Sequence, residues 1–382
     1  MKIGIPKEIK NHEYRVALTD QGVSELLHHG HEVYVEKDAG IHLALTNEHY
    51  ERLGATIKAT KQALYEISDV IVKVKEPQLA ETQFMHENQI IFSYLHLAVE
   101  KEMTEHLLAK RVLGIAFETI TSEGNFLPLL FPMSEIAGKL SIQEGAFYLK
   151  KSQSGRGVLL GGAVGTHRAR VVVLGGGTSG TAAAKIALGM GAHVVIFDKS
   201  LARMRVLHDI LTGSYQVLYP SQDALETETR RADLLVGSVL LPGGKAPKLV
   251  SREMVAAMQP GSVIVDIAID QGGCIATSKP TTHSAPTFVD EDVIHYCVTN
   301  MPASVPLTAS RALENSILPY LLKLVGHKTD AASEGDSIKR VYKTLRNDPH
   351  LLNGLNVCNG NVTHQAVAEA LSKKWVNPLD LF

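Results

Sequence analysis

The first third of the chain alternates short apolar, β-branched runs with longer stretches in which apolar residues recur at helical spacing. Apolar runs bounded by polar turns indicate buried strands, and the longer spacing indicates amphipathic helices. The pattern predicts strands at 2–5, 32–36, 70–75, 89–94 and 112–117, with helices at 20–29 and 100–111. Such alternation favours a mostly parallel sheet covered by helices on both faces.

The same alternation restarts in the middle of the chain. A helical pattern over 132–151, with Ser134 near its start, is followed by a glycine-rich loop. Further strands are predicted at 170–174, 193–197, 234–237, 263–267 and at Val298, and a last long helix at 307–326. We therefore predict an α/β protein with two doubly wound parallel-sheet, Rossmann-like domains. The substrate domain is discontinuous, 1–129 with 307–382, and the dinucleotide-binding domain is 130–306.

The strongest local signal is the sequence GGGTSG at 175–180 between a predicted strand and a predicted helix. In a GxGxxG motif Gly175 permits the tight turn, Gly177 lets a pyrophosphate approach the backbone, and Gly180 lets the helix pack on the sheet. Amides at the helix start, where Thr178 and Ser179 lie, would bind the phosphates. The alternative is a purely structural role, in which these glycines only pack a helix onto a sheet.

Asp198 ends the next predicted strand, where an acidic residue binds the ribose hydroxyls of NAD and repels the 2′-phosphate of NADP. The sequence thus favours NAD as cofactor. The neighbouring cations Lys199, Arg203 and Arg205 could offset that carboxylate, so NADP is the alternative.

Charge and composition narrow the classes of partner. The net charge is −2, and 45% of residues are hydrophobic against 20% charged, which is ordinary globular usage. We expect no nucleic-acid partner, and the lack of a long apolar run predicts no membrane segment and a cytoplasmic protein. Cys274, Cys297 and Cys358 lack CxxC spacing and indicate buried thiols. No metal site is predicted, because the histidines at 28, 29 and 31 have no other ligand arranged with them.

Long segments of the chain resemble the bacterial alanine dehydrogenases, which share ancestry with the NAD-binding component of proton-translocating transhydrogenases. The resemblance runs nearly end to end, through IPKEIKNHEYRVALT, VKVKEP, YLHLA, PMSEIAGKLS, RGVLLGG, GGKAPKLVS, DIAIDQGGC and HYCVTNMPASVP. It implies reversible, NAD-dependent oxidative deamination of L-alanine to pyruvate and ammonium, by a homohexamer. The alternative function is that of a NAD(H)-binding component in a transhydrogenase-like hydride-exchange system.

The resemblance also implies roles for individual residues. Arg15 and Lys75 would bind the substrate, and His96 and Asp270 would be catalytic, moving protons. Besides the three glycines, the implied cofactor contacts are Ser134, Thr178, Ser179, Asp198, Arg203, Val239, Leu240, Ile267, Ala268, Ile269, Asp270, Val298, Thr299, Asn300 and Met301.

The residue types suit this chemistry. An arginine grips a carboxylate with two parallel hydrogen bonds, a lysine can polarise a keto oxygen, and a histidine titrates near neutral pH. Asp270 is expected at the carboxyl end of a parallel strand, where α/β sheets bind ligands.

Taken singly, each residue also has a structural interpretation. His96 could be an ordinary strand-end histidine, Arg15 and Lys75 surface cations, Asp270 a turn residue, and Ser134 a helix cap.

Overall fold

The computed structural model describes residues 1–239, 246–327 and 336–382. The chain divides into two compact units, one formed by Met1–Pro132 with Ala303–Phe382 and the other by Met133–Pro302. We call them the split unit and the inserted unit. The chain passes from one to the other at 132/133 and 302/303, where the sequence predicts 129/130 and 306/307.

The first segment of the split unit alternates strands and helices. Its strands are β1 (Lys2–Ile5), β2 (Glu32–Glu36), β3 (Thr56–Lys58), β4 (Val70–Val72), β5 (Ile90–Ser93) and β6 (Leu113–Ala116). Its helices are α1 (Asp20–His28), α2 (Asn47–Leu53), α3 (Lys61–Ile67), α4 (Leu79–Thr82) and α5 (Lys101–Ala109). Strands β4, β5 and β6 are fully buried, as strands covered on both faces must be, whereas the edge strand β3 is partly exposed.

Helix α6 (Phe131–Tyr148) leads into the inserted unit. The strands there are β7 (Arg170–Leu174), β8 (His193–Phe197), β9 (Tyr215–Leu218), β10 (Leu234–Gly237), β11 (Val263–Asp266), β12 (Thr287–Asp290) and β13 (Val293–Tyr296). The helices are α7 (Thr178–Gly189), α8 (Leu201–Ile210), α9 (Gln222–Arg231) and α10 (Arg252–Ala256).

The returning segment completes the split unit. It contains α11 (Pro306–Val325), α12 (Asp336–Asn347), α13 (Pro349–Leu352), β14 (Leu355–Cys358), β15 (Asn361–Val362) and α14 (Gln365–Ala370).

The two sheets have closely related strand orders. The split unit has the order β15-β14-β6-β5-β4-β1-β2-β3, and the inserted unit β12-β13-β11-β10-β7-β8-β9. Strands β1 to β6 pair in parallel, as do β7 to β11 and β13, while β12, β14 and β15 add antiparallel edges. The predicted fold class, two doubly wound Rossmann-like sheets, is confirmed.

Most predicted strands lie where expected, and the differences occur at their ends. The strand predicted over 70–75 stops at Val72, and the one predicted over 263–267 stops at Asp266. The strand predicted at Val298 is wrong, because the sheet strand is β13 and Val298 makes only an isolated bridge to Thr281. Strands β3, β9 and the antiparallel edges are absent from the prediction, because they are short or partly exposed and lack a continuous apolar run.

Two polar side chains of α11 fasten the returning segment to the N-terminal segment. The Ser310 hydroxyl accepts a hydrogen bond from the amide of Val16 (3.0 Å), and the buried Glu314 carboxylate accepts from the amides of Thr19 (2.8 Å) and Gly22 (2.5 Å). Thr19 precedes α1 and makes no side-chain cap of its own. Glu314 therefore satisfies amides that would otherwise be orphaned at the start of α1.

His31 makes a second link between the segments. Its Nε2 lies 2.7 Å from the carbonyl oxygen of Gly326, and its Nδ1 lies 3.4 Å from the N-terminal nitrogen of Met1. Burial and the adjacent N-terminal charge lower the pKa of His31 to about 4. The imidazole is therefore neutral in the folded protein near neutral pH.

This shift predicts a pH dependence of stability. Because the pKa of His31 is about 4 when folded and 6.5 ordinarily, the unfolded chain binds more protons between those values. The free energy of unfolding should fall as the pH is lowered through this window. His31→Asn should flatten the dependence, measured by urea denaturation at a series of pH values, whereas the exposed His28→Asn should not. Parallel wild-type and His31→Asn curves would contradict the assignment.

Candidate active site

In the split unit the strand order reverses between β1 and β4, the position at which doubly wound sheets bind ligands. Arg15 follows β1, Lys75 follows β4 and His96 follows β5, and these three strands are adjacent and parallel. The chain therefore brings all three residues to the same edge of one sheet.

Arg15 is a buried cation, only 2% exposed. Its Nε donates to Oε1 of Glu13 (2.6 Å) and its Nη2 to Oε2 (2.5 Å), a two-point pairing with a carboxylate that is itself buried. Burial acts to lower the pKa of Arg15, but the hydrogen bonds and charge of Glu13 outweigh it and raise the pKa. The interpretation of Arg15 as a surface cation is wrong.

The two lysines of VKVKEP occupy different environments. Lys73 is fully buried, and its Nζ contacts Glu8 (3.0 Å) and Glu81 (3.4 Å) and donates to the carbonyl oxygen of Lys75 (3.2 Å). Although burial acts to lower the pKa of Lys73, the two carboxylates raise it. The amide of Val74 donates to the same Glu8 carboxylate (2.6 Å). This buried cluster fixes the backbone that presents Lys75.

Lys75 lies at the boundary between core and surface: 12% of its side chain is exposed, against none for Lys73. Its Nζ lies 3.7 Å from Oε2 of Glu76. Glu76 also pairs with Lys10. Burial opposes ionisation of Glu76, but the positive charges of Lys75 and Lys10, with a smaller contribution from His96, lower its pKa to about 2. Glu76 is therefore ionised near neutral pH and interacts electrostatically with both Lys75 and His96.

His96 has an unusual backbone, with φ of 51° in the left-handed region. The carboxylate of Glu118 accepts from the amide of His96 (2.7 Å) and lies 3.6 Å from its ring Nδ1. The ring of Tyr94 lies nearly parallel to the imidazole, 5.9 Å between centroids, and the Tyr94 hydroxyl donates to the carbonyl oxygen of Leu129. With 38% of the side chain exposed, His96 is not a core histidine.

The inserted unit places the glycine motif at its own strand-order reversal, between β7 and β10. Gly175 has φ of 95°, so the turn requires a residue that tolerates the left-handed region. A Cβ on Gly180 would lie 1.8 Å from the carbonyl oxygen of Gly175, whereas a Cβ on Gly177 would meet nothing within 4 Å. Gly180 is therefore required for packing, and Gly177 leaves open space beside the start of α7, where Thr178 and Ser179 lie.

Asp198 and Arg203 both hold the glycine loop. The Asp198 carboxylate accepts from the amides of Gly176 (2.9 Å) and Ser200 (2.8 Å). The Arg203 guanidinium donates to the carbonyl oxygen of Gly176 (2.5 Å) and to the hydroxyl of Thr181 (2.6 Å). The guanidinium of Arg203 is thus hydrogen-bonded to the loop and to the first turns of α7.

The sequence predicts Asp270 directly at the end of a parallel strand, but the structure places it in a turn beyond that strand. Strand β11 ends at Asp266, and Ile267–Gln271, which includes Ala268 and Ile269, forms a 3₁₀ turn with Asp270 exposed. The buried Asp266 carboxylate accepts from the amides of Ala268 (3.2 Å) and Cys274 (3.0 Å), and burial raises its pKa. Asp266 therefore fixes the turn on which Asp270 lies.

The remaining predicted cofactor residues that the structure describes belong to the inserted unit. Val239 follows β10 and packs on the core, and its Cγ2 would lie 3.1 Å from a Cβ on Gly175. Val298 and Met301 are buried, Thr299 donates to Thr281, and Asn300 has φ of 61°. Ser134 lies in the first turn of α6 and not at its cap position, because the helix begins at Phe131. Leu240 lies outside the described residues.

Five carboxylates that hold these residues in place were not predicted from the sequence: Glu8, Glu13, Glu76, Glu118 and Asp266. All but Glu118 lie inside the recognised segments, and only Asp266 carries a local signal, a charged residue at the end of an apolar strand. Within the described ranges, no group of three potential metal ligands occurs and no helix is long and apolar enough to cross a membrane. The three cysteines are free and buried.

Comparison with known proteins places the chain in a family. Residues 4–137 match the family model for the N-terminal domain of alanine dehydrogenase/PNT, and residues 141–365 match the model for its C-terminal domain. The chain belongs to this family.

Individual relatives match along their whole length. Alanine dehydrogenase of Halomonas elongata is 46% identical and covered completely, and that of Methanococcus maripaludis is 50% identical over 97% of this chain and 96% of its own. A solved L-alanine dehydrogenase is 44% identical with a TM-score of 0.90, covering 97% of this chain and 99% of its own. A transhydrogenase from Sinorhizobium meliloti, 22% identical over 96% of this chain and 100% of its own, has the same fold with a TM-score of 0.80.

The two lysines of VKVKEP should differ sharply when replaced. Lys73→Met leaves two buried carboxylates without their shared cation and should lower the free energy of unfolding by about 3–5 kcal/mol. Lys75→Met should lower it by about 1 kcal/mol or less, because the boundary ion pair is long and Glu76 keeps Lys10. Urea denaturation of both variants measures the difference, and equal losses would refute the assignment of Lys73 as the buried anchor.

Proposed function

We propose that this protein is an L-alanine dehydrogenase that catalyses the reversible, NAD-dependent oxidative deamination of L-alanine to pyruvate and ammonium. The observation that carries the proposal is the placement of a guanidinium, an ammonium group and an imidazole after three neighbouring parallel strands, β1, β4 and β5. Membership of the alanine dehydrogenase/PNT family supports it.

In this proposal Arg15 and Lys75 bind the substrate. Arg15 pairs with the substrate carboxylate, while Glu13, bound to its Nε and Nη2, holds the guanidinium in position. Lys75, presented by the backbone that Glu8 and Lys73 fix, polarises the keto oxygen of pyruvate.

The cofactor in the proposal is NAD, which would supply the acceptor for the hydride on Cα of L-alanine and would be held by the glycine motif and Asp198. The open space at Gly177 and the amides at the start of α7 fit a pyrophosphate, and Asp198 suits the ribose hydroxyls. Arg203 already uses its Nε and Nη2 as donors to the Gly176 carbonyl oxygen and the Thr181 hydroxyl, which leaves fewer of its donors for a 2′-phosphate. Besides Asp198 and the glycine motif, the proposed contacts are Ser134, Arg203, Val239, Leu240, the turn at 267–270 and the segment at 298–301.

His96 and Asp270 move the protons in the proposed reaction. Once the substrate ammonium has lost one proton to solvent, removal of the Cα hydride leaves iminopyruvate, and His96 takes a proton from the water that adds to it. Asp270 orients that water and the departing ammonia. Collapse of the carbinolamine then yields pyruvate and ammonium, with the proton returned by His96.

The test is the absorbance of NADH formed by purified protein with L-alanine and either NAD or NADP. We expect alanine-dependent NADH formation, much faster with NAD, and a loss of about 10²–10⁴-fold in kcat for His96→Ala, since general acid–base groups contribute that much. The exposed His28→Ala is the matched control.

Two results would contradict this function. NADH binding without alanine-dependent turnover would favour the hydride-exchange alternative, and near-native kcat in His96→Ala would remove the assigned role of His96.

We also propose that the protein acts in the cytoplasm as a homohexamer, which the family resemblance implies. Mass photometry of the purified protein should give the mass of six chains of 41.4 kDa. A monomer or a dimer at physiological salt would contradict the assembly.

A further inference from the structure

Glu118 is a carboxylate beside His96 to which neither the reaction nor the resemblance assigns a role. It lies in the 3₁₀ turn Phe117–Thr119 directly after β6, and β6 pairs in parallel with β5, which leads to His96. The parallel register places Ser93 opposite Ala116. The turn that carries Glu118 is therefore brought beside the turn that carries His96.

The carboxylate of Glu118 holds the backbone of this turn. Its Oε1 accepts from the amide of His96 (2.7 Å), and both of its oxygens lie within hydrogen-bond distance of the amide of Leu95 (3.2 and 3.3 Å). Leu95 is fully buried, which fixes the other side of the turn. His96 keeps its left-handed φ of 51°, uncommon for a residue with a Cβ, within this set of contacts.

The same carboxylate faces one nitrogen of the imidazole. Oε1 lies 3.6 Å from Nδ1, an ion-pair separation, while Tyr94 stacks against the ring. A carboxylate on the Nδ1 side favours the tautomer that carries its proton on Nδ1, which leaves Nε2 as the proton acceptor. Once Nε2 takes a proton, the positive imidazolium is stabilised by the nearby negative charge.

We propose that Glu118 is the positioning residue of His96: it sets the backbone, selects the tautomer with Nε2 as base and stabilises the imidazolium formed during proton transfer. The proposal rests on the proposed function in assuming that His96 is the base. The other groups that face this pair are Glu76, whose charge interacts with His96, the ring of Tyr94, and His364, which interacts with Glu118.

The informative variant is Glu118→Gln, because a glutamine oxygen can still accept from both amides while the negative charge is removed. We expect kcat/KM for L-alanine to fall about 10–100-fold, as on removing the carboxylate partner of other functional histidines, with KM for NAD unchanged. The acid limb of the pH profile should move to lower pH, because the protonated ring loses the charge that favours it.

Two controls separate this role from a purely structural one. Glu123→Gln changes an exposed glutamate in the next turn and should behave as wild type. Repeating Glu118→Gln in a His364→Gln background should preserve the shift of the acid limb if His96 is its source. A Glu118→Gln profile that superimposes on the wild-type profile overturns the proposal.

A measurement independent of turnover keeps the inference distinct from the proposed function. In protein labelled with ¹⁵N-histidine, with the His96 signal identified by its loss in His96→Asn, the wild-type spectrum should show the proton on Nδ1. Glu118→Gln should shift the titration of that signal to lower pH. If the wild type does not oxidise L-alanine, the proposed function fails while this spectrum still tests the pairing. An unchanged signal in Glu118→Gln refutes it.

Discussion

The buried contact between Glu8 and Lys73 is the constraint on which the split unit depends most. It joins the segment after β1 to the segment after β4, the two strands between which the sheet order reverses. Oε1 of Glu8 accepts hydrogen bonds from the amides of Val74 and Lys75, and Oε2 accepts one from the Lys73 ammonium. Since an isolated buried charge is very costly, the Glu8 carboxylate depends on Lys73, and Lys73 depends on Glu8 together with Glu81. The position of Lys75 is a consequence of that pairing.

The same device recurs at other strand ends. Asp266 at the end of β11, Glu118 after β6 and Glu314 on α11 are carboxylates that accept hydrogen bonds from main-chain amides and so fix a turn or the start of a helix. An irregular segment between a strand and a helix has amides that no ladder satisfies, and a carboxylate can accept several of them at once. In this chain Lys75, His96 and Asp270 lie on segments whose amides donate to such carboxylates.

The sequence predicted the architecture well because buried parallel strands carry continuous apolar runs, as in β7, β8 and β10, whose bounds agree with expectation. The sequence did not predict which polar side chains are buried, because their burial depends on contacts between distant parts of the chain. The glycine motif was identifiable from GGGTSG, because each glycine has a steric reason that the structure reproduces at Gly175 and Gly180. Nothing in VKVKEP distinguishes the buried lysine from the boundary one, since that difference depends on Glu8, which lies 65 positions from Lys73 in the chain.

The division of the split unit between the two ends of the chain has a consequence for its synthesis. The inserted unit is complete once residue 302 has been made, and its core contains no residue from either terminus. The N-terminal segment, by contrast, has emerged long before Ser310 and Glu314 exist to meet the amides of Val16 and Thr19. On the ribosome the segment that carries Arg15 must wait for the last fifth of the polypeptide, so the middle of this protein can reach its final form before the beginning does.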